Sequence, residues 1–279
     1  MQIDFRNTKK TVKCKPVFQK RDLCYTLCMR ILCLGDSIMQ YNDCTTYPQT
    51  GWVQELSRFF PRGTEFLNFA KNGRSTKSFI DEGRFEAVKK AARKGDYALI
   101  QFGHNDEKKQ DSARYTSPEE DGSYRANLAL FVEELRALGV KPIVLTPMAR
   151  RKFVSENKME DTHGAYPAAA LAEAKKLGVP VLDMTSLTFA CLERVGEKKS
   201  RRFFMNFDAG EYDNFPAGKD DNSHLRPDGA FAFARIAAHE LAQLGKAWAE
   251  YAELSNAVIV GNMNAAEFEK DTGDEKMMA

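Results

Sequence analysis

No stretch of this 279-residue chain approaches the roughly 18 consecutive apolar residues that a membrane span requires, which argues against an integral membrane protein. Nor is there an excess of charge. The 41 basic and 39 acidic residues nearly cancel, leaving +2, which argues against nucleic-acid binding through a broad basic surface and says nothing about a local cluster of arginines in a cleft. Six cysteines occur, but no Cys-x-x-Cys and no zinc-like pairing with histidine. Five lie within the first 44 residues without a partner pattern, and they read as reduced thiols of an intracellular protein. Secretory signals are also missing. Residues 1–29 are basic, and the apolar "LCYTLC" is too short for a signal core and lacks a small-residue cleavage site. The expected location is therefore cytoplasmic. Residues 1–28 are expected to be an appendage ahead of the first strand, poorly ordered or packed on the outside. Internal repeats are absent, and no linker divides residues 30–250. The expected domain is 29–250, followed by a C-terminal tail over 251–279 whose last ten or so residues are expected to be disordered.

What the chain does have is an alternation of short apolar runs with amphipathic stretches. "RILCLG" (30–35) reads as a buried strand, "GWVQELSRFF" (51–60) as a helix closed by Pro61, and "TEFLNFA" (64–70) as a second strand. A helix is predicted over 79–94, ended by Gly95, then a strand at 97–103, a helix at 124–139 and a strand at 141–147. A helix at 166–178 and a strand at 179–184 follow. After an irregular stretch comes a long helix over 228–248, with Asp228 as its N-cap. Near-continuous apolar strands separated by helices predict a three-layer α/β/α fold around a parallel five-stranded sheet. In such sheets the working residues gather beyond the carboxyl ends of the strands.

The polar residues obey that rule. Gly35-Asp36-Ser37 follows the first strand, "AKNGRST" the second, "GHND" the third and "PMARR" the fourth. Ser37 by itself is ambiguous, since a serine there often only caps the next helix. Asp36 is expected to organise the turn beneath it rather than titrate. Asn105 offers an amide donor, although Asn and Asp also favour turns for local backbone reasons. His104, directly before it, is expected to point into a packing or hydrogen-bonding role. Asp221 and His224 stand three apart before the last helix. An acid that accepts from one imidazole nitrogen leaves the other free as a base, and the bland alternative is a structural loop pair. With only four histidines in the chain, His224 is the best candidate base. His239 reads as a surface or helix-packing residue, and His163 as a loop residue able to touch substrate. Gly73, in a polar turn, could bring its backbone N–H close to a ligand. Ser37 N–H, Gly73 N–H and the Asn105 side chain would together make three donors for an oxyanion.

These blocks, in this order, resemble the SGNH (GDSL) hydrolase superfamily: Gly35-Asp36-Ser37, Gly73, Gly103-x-Asn105-Asp106 and Asp221-x-x-His224. The resemblance spans about residues 30–250. Within the superfamily the chain looks most like the rhamnogalacturonan acetylesterase branch, through "NFAKNGRSTKSF", "GHND", "TPMARR" and "DNSHLRPDGA". That resemblance implies a carboxylic ester hydrolase that removes O-acetyl groups from pectic or related sugars without metal or cofactor. It implies Ser37 as nucleophile, Asp221 and His224 as its partners, and Ser37, Gly73 and Asn105 as the oxyanion hole. Two features depart from the pattern. The residue after the serine is Ile38 rather than leucine or threonine, and the stretch 185–220 is long and unusual, a candidate lid or oligomer element.

The expected partner is a small-molecule or oligosaccharide substrate, not nucleic acid and not a membrane; the sequence leaves the oligomeric state open. Pectic sugars carry carboxylates, which guanidinium groups suit, so Arg74, Arg150, Arg151 and Arg226 join His163 as candidate substrate contacts. Strand-end arginines paired to Asp and Glu are the alternative. Another esterase on the same machinery, acting on acyl-thioesters or lysophospholipids, and a non-catalytic sugar-binding relative are the competing functional readings.

Overall fold

The computed structural model describes residues 29–259. The expectations for 1–28 and for the last ten residues fall outside that range. Five strands form a parallel sheet: β1 (Arg30–Gly35), β2 (Glu65–Asn68), β3 (Tyr97–Gln101), β4 (Lys141–Leu145) and β7 (Val181–Leu182). Their order is β2-β1-β3-β4-β7. Two short antiparallel pairs lie outside it, β5 (Phe153–Ser155) with β6 (Lys158–Met159), and β8 (Phe204–Phe207) with β9 (Lys219–Leu225).

Strand side chains alternate between two cores. Ile31, Cys33, Leu99, Ile143 and Leu145 face one cluster; Leu32, Leu34, Ala98, Ile100 and Val144 face the other. Because both faces are covered, β1 and β3 are buried along their whole length, and that is why they read as unbroken apolar runs. The first face is covered by α1 (Trp52–Leu56), α6 (Met184–Val195) and α8 (Pro227–Ala247). The second is covered by α2 (Thr76–Asp81), α3 (Arg84–Ala91), α4 (Ser123–Ala137) and α5 (Tyr166–Leu177). Phe233 of α8 and Phe131 of α4 are fully buried, each contributing about 1.5–3 kcal/mol of apolar transfer. At the entry to β1, Arg30 is itself buried. It pairs with Asp96 at 2.9 Å and Glu65 at 3.0 Å, and donates to Ala91 O at 3.1 Å.

Several boundaries differ from the sequence reading. The helix expected over 79–94 is two helices, α2 and α3, broken where Gly83 takes φ +69°. The 51–60 helix gives way after Leu56 to a 3-10 turn over Ser57–Phe59. Asp228 is not the N-cap of α8: Arg226 is, with Pro227 at the first position and Asp228 in the first turn, where its charge suits the helix dipole. The stretch from 185 is not irregular either. It holds α6, α7 (Glu197–Ser200), a 3-10 turn and the β8–β9 pair. The boundary expected at 250 is also too early. α9 (Ala252–Ala257) packs with fully buried Leu254, and Tyr251 Oη donates to Pro142 O at 2.7 Å, so the folded body continues through α9. Among the described residues, no helix is long and apolar enough to cross a membrane. Cys33, Cys44 and Cys191 are free thiols.

Candidate active site

The carboxyl ends of β1, β2 and β3 are tied to one another by the polar residues that follow them. Lys71 N–H donates to Gly35 O at 3.1 Å, and Asn68 Nδ2 to Met39 O at 2.7 Å. Asn105 Nδ2 donates to Arg74 O at 3.1 Å. Asp106 Oδ1 accepts from Thr76 N at 2.9 Å, Thr76 Oγ1 at 2.6 Å and Thr116 Oγ1 at 2.7 Å. Gly73 sits in the left-handed region at φ +78°, a conformation that glycine adopts without strain. Gly103, at φ +149°, leaves room that a Cβ would take from Pro147, whose ring carbon would stand 2.8 Å away.

Ser37 follows β1 in a turn held by Asp36, whose Oδ1 accepts from Ile38 N–H at 3.0 Å. Asp36 is wholly buried, and burial opposes its ionisation. The facing His104, with Nδ1 3.4 Å from Asp36 Oδ2, and the Ile38 N–H outweigh that effect and hold the carboxyl below its usual range. His104 is pushed down by burial to about 4, so it is neutral near pH 7. Asp36 and His104 thus carry the turn-organising and packing parts expected of them.

Asp221 and His224 lie on β9, not in a free loop. Met205 of β8 pairs with Asp221 and Phe204 with Leu225. Residues 222, 223 and 224 therefore have no partner on β8 and bulge from the ladder. Within the bulge, Asp221 Oδ1 accepts from Ser223 N at 2.9 Å and His224 N at 3.0 Å, while Oδ2 lies 2.7 Å from His224 Nδ1. His224 Nε2 lies 2.9 Å from Ser37 Oγ across 187 positions of sequence. Partial burial raises the affinity of Asp221 for a proton. The His224 ring and the two backbone N–H groups outweigh it and hold the carboxyl well below the usual range. The backbone that carries the bulge is joined to the first strand's turn, since Thr50 N–H donates to Leu225 O at 2.9 Å.

Asn105 is buried, with Lys108 Nζ donating to its Oδ1 at 2.8 Å. Burial and the neighbouring charges of Arg114 and Arg150 lower the pKa of Lys108. The Arg114 guanidinium lies over Gly73, its carbon 3.7 Å from where a Cβ would stand. Lys108 and Arg114 have no sequence signal beyond being cations downstream of "GHND".

The five expected substrate contacts fare differently. Arg74 is partly exposed, with Nε on Glu82 at 2.9 Å and Nη1 donating to Asn72 O at 2.8 Å. Arg226 is mostly covered. It donates to Arg202 O at 3.0 Å and lies over the Phe207 ring. Arg150 and Arg151 are turned to the protein and bond along the β9 bulge. Substrate contact at His163 is corrected: the ring is 2% exposed, with Nε2 2.8 Å from Met148 O and Nδ1 3.0 Å from Glu107 Oε2. Glu107 itself was not singled out in the sequence. Burial would raise its pKa, but His163 and Arg150 outweigh that and keep it ionised below the usual range.

A hydroxyl, an imidazole and a carboxylate in line, beyond the carboxyl ends of a parallel sheet, define an α/β protein equipped for acyl transfer. The profile of the GDSL-like Lipase/Acylhydrolase family matches residues 33–230, and the chain belongs to that family. It is 36% identical over 219 residues to the rhamnogalacturonan acetylesterase RhgT of Bacillus subtilis, covering 78% of this chain and 91% of that protein. It is 31% identical over 212 residues to YesY of the same organism, covering 76% of this chain and 91% of that protein. Among solved structures, YxiM of Bacillus subtilis superposes with a TM-score of 0.66 at 26% identity, over 78% of this chain and 57% of that one. A variant of the acetyl xylan esterase Axe2 of Geobacillus stearothermophilus superposes at 0.54 and 16% identity, over 76% of this chain and 94% of that one.

Proposed function

We propose that the chain is a serine esterase that removes O-acetyl groups from sugars, with acetylated pectic oligosaccharides of the rhamnogalacturonan type as the substrate class. The observation that carries the reaction is the Ser37–His224–Asp221 line, with hydrogen-bond distances of 2.9 and 2.7 Å. The substrate class rests on likeness to RhgT. His224 Nε2 takes the Ser37 hydroxyl proton as Oγ bonds to the acetyl carbon. Asp221, anionic across the working range, holds Nδ1–H and stabilises the imidazolium. Neither Ser37 N–H nor Gly73 N–H has an acceptor among the described residues, so both are available, with the Asn105 amide, to receive the oxyanion. As the tetrahedral intermediate collapses, the bond from the acetyl carbon to the sugar oxygen breaks, and His224 returns its proton to that oxygen. Water then gives a proton to His224 as its oxygen bonds to the acetyl carbon; the bond to Ser37 Oγ breaks as His224 passes that proton to Oγ, and acetic acid leaves, ionising to acetate in solution.

Of the expected substrate residues, Arg74 is retained as a contact for a sugar carboxylate, because it is the one that keeps substantial exposure beside the Gly73 turn. A cytoplasmic setting, with imported oligosaccharides as substrate, is part of the same reading. Mass-spectrometric detection of acetate release from a panel of acetylated oligosaccharides, with an acetyl-to-octanoyl ester series alongside, tests it. Acetate release from acidic sugars with falling rates on longer acyl chains is the expected result. A preference for octanoyl esters would replace the sugar reading with a lipid one.

A further inference from the structure

The two adjacent arginines that leave β4 are offered by the sequence as substrate contacts. Their hydrogen bonds go elsewhere. Arg151 N–H donates to Asn222 O at 2.9 Å, and Arg151 Nη1 donates to Asn222 Oδ1, also at 2.9 Å. Arg150 Nε donates to Ser223 Oγ at 3.1 Å. Asn222 and Ser223 are the two residues between Asp221 and His224. The other branch of Arg150 runs to the opposite side of the site. Its Nη2 donates to His104 O at 3.3 Å and pairs with Glu107, and its Nη1 lies 3.4 Å from Thr162 O. The His104 carbonyl belongs to the peptide unit that leads into Asn105.

One planar group therefore touches the residue before the candidate base and the residue before the candidate oxyanion donor. Residues 222–224 have no ladder partner on β8, because they bulge from it. The β4 exit is itself fixed, since Ala149 N–H donates to Thr188 Oγ1 at 2.9 Å. Asn206 Nδ2 adds a bond to Asn222 Oδ1 at 2.6 Å. Arg150 is only 20% exposed, and its charge is already met by Glu107.

Resting on the esterase reading above, we infer that Arg150 is a positioning residue that sets His224 and Asn105 at their working separation, with Arg151 bracing the same bulge. The task is geometric. Guanidinium holds three separately placed acceptors in one plane, and an ammonium cannot. Displacing a reacting group by about 1 Å costs up to roughly 10²-fold in rate.

The test uses a neutral aryl acetate, which offers no carboxylate to an arginine, and the full chain. Arg150→Lys and Arg150→Met are expected to lower kcat by about tenfold or more with KM within about twofold. Covalent labelling of Ser37 by an organophosphonate should slow in parallel, since it depends on the same activation of the hydroxyl. Ser223→Ala removes one acceptor and leaves the arginine, and is expected to lower kcat in the same way but less. A loss of melting temperature with kcat intact would mean a structural role only and overturn the inference. So would unchanged aryl acetate turnover with a raised KM on acetylated uronic-acid oligomers, which would return Arg150 to substrate binding. Wild-type turnover in Ser223→Ala overturns it even where the Arg150 variants fail to fold. If the wild-type chain neither turns over an aryl acetate nor labels at Ser37, the esterase reading fails and takes this inference with it; activity in the wild type with no response in the variants removes this inference alone.

Discussion

Ser37 Oγ and His224 Nε2 share one hydrogen bond of 2.9 Å, and neither side chain has a competing protein partner at that atom among the described residues. Ser37→Ala removes the hydroxyl that faces the imidazole. Turnover of an aryl acetate in that variant is expected to fall by about 10⁴-fold or more, toward what binding and the oxyanion donors alone provide. Near-wild-type turnover in Ser37→Ala would show that the chemistry lies elsewhere.

The carboxylate behind His224 carries a prediction of its own. The Asp221 carboxyl is held well below the usual range, so it is ionised at neutral pH and keeps the Nδ1–H of His224 in place. Asp221→Asn is expected to lower kcat/KM on an aryl acetate by about 10⁴-fold, because an amide can favour the wrong imidazole tautomer. Steady-state kinetics at pH 7 check this, and near-wild-type turnover in Asp221→Asn would remove the carboxylate from the reaction.

Asn105 is held from both ends, by Arg74 O at Nδ2 and Lys108 at Oδ1. The lysine fixes which end of the amide faces the reaction. Asn105→Ala is expected to lower kcat by about 10²–10³-fold with little change in KM, the usual cost of one oxyanion donor. Lys108→Met is expected to show a smaller loss of the same kind. If Asn105→Ala raised KM and spared kcat, the amide would be a binding group instead.

Two buried groups beside the site give stability opposite pH dependences. Burial pushes His104 from 6.5 down to about 4. Its contribution is complete above pH 6.5 and lost as pH falls toward 4, because the unfolded chain takes the proton first. Burial pushes Asp106 from 3.8 up to about 7, against the hydrogen bonds from Thr76 and Thr116. Its contribution is complete below pH 3.8 and lost as pH rises through 7. Each can tilt the unfolding free energy by at most about 1.4 kcal/mol per pH unit. Relative to wild type, His104→Gln should gain stability on acidification from 6.5 to 4, and Asp106→Asn should gain on alkalinisation from 4 to 7. Denaturant titrations at several pH values read both. Parallel curves for wild type and either variant would contradict the assigned burial effect.

The sheet is legible in the sequence because its strands are covered on both faces, so Ile31–Leu34 and Ala98–Ile100 carry no polar interruption. The placement of Ser37, Gly73 and Asn105 at strand ends is legible for the same reason: the apolar run stops where the backbone leaves the core. The β8–β9 pair is not. Asp220, Asp221, Asn222, Ser223 and His224 look like a loop because a three-residue bulge breaks the alternation that marks a strand. The partners of the arginines are hidden as well. Arg150 is 46 positions from His104 and 73 from Ser223, and no local pattern records a contact made across the sheet. His163 misleads in the opposite direction, since a polar loop residue in the sequence is a buried strut once Glu107 and Met148 close on it.

The bulge between Asp221 and Leu225 also ties function to the length of the chain. The hydroxyl and the imidazole that faces it are 187 positions apart, so a chain shortened before β9 carries the first without the second. Under the proposed reaction, ester cleavage then distinguishes full-length polypeptide from truncated fragments that still contain Ser37.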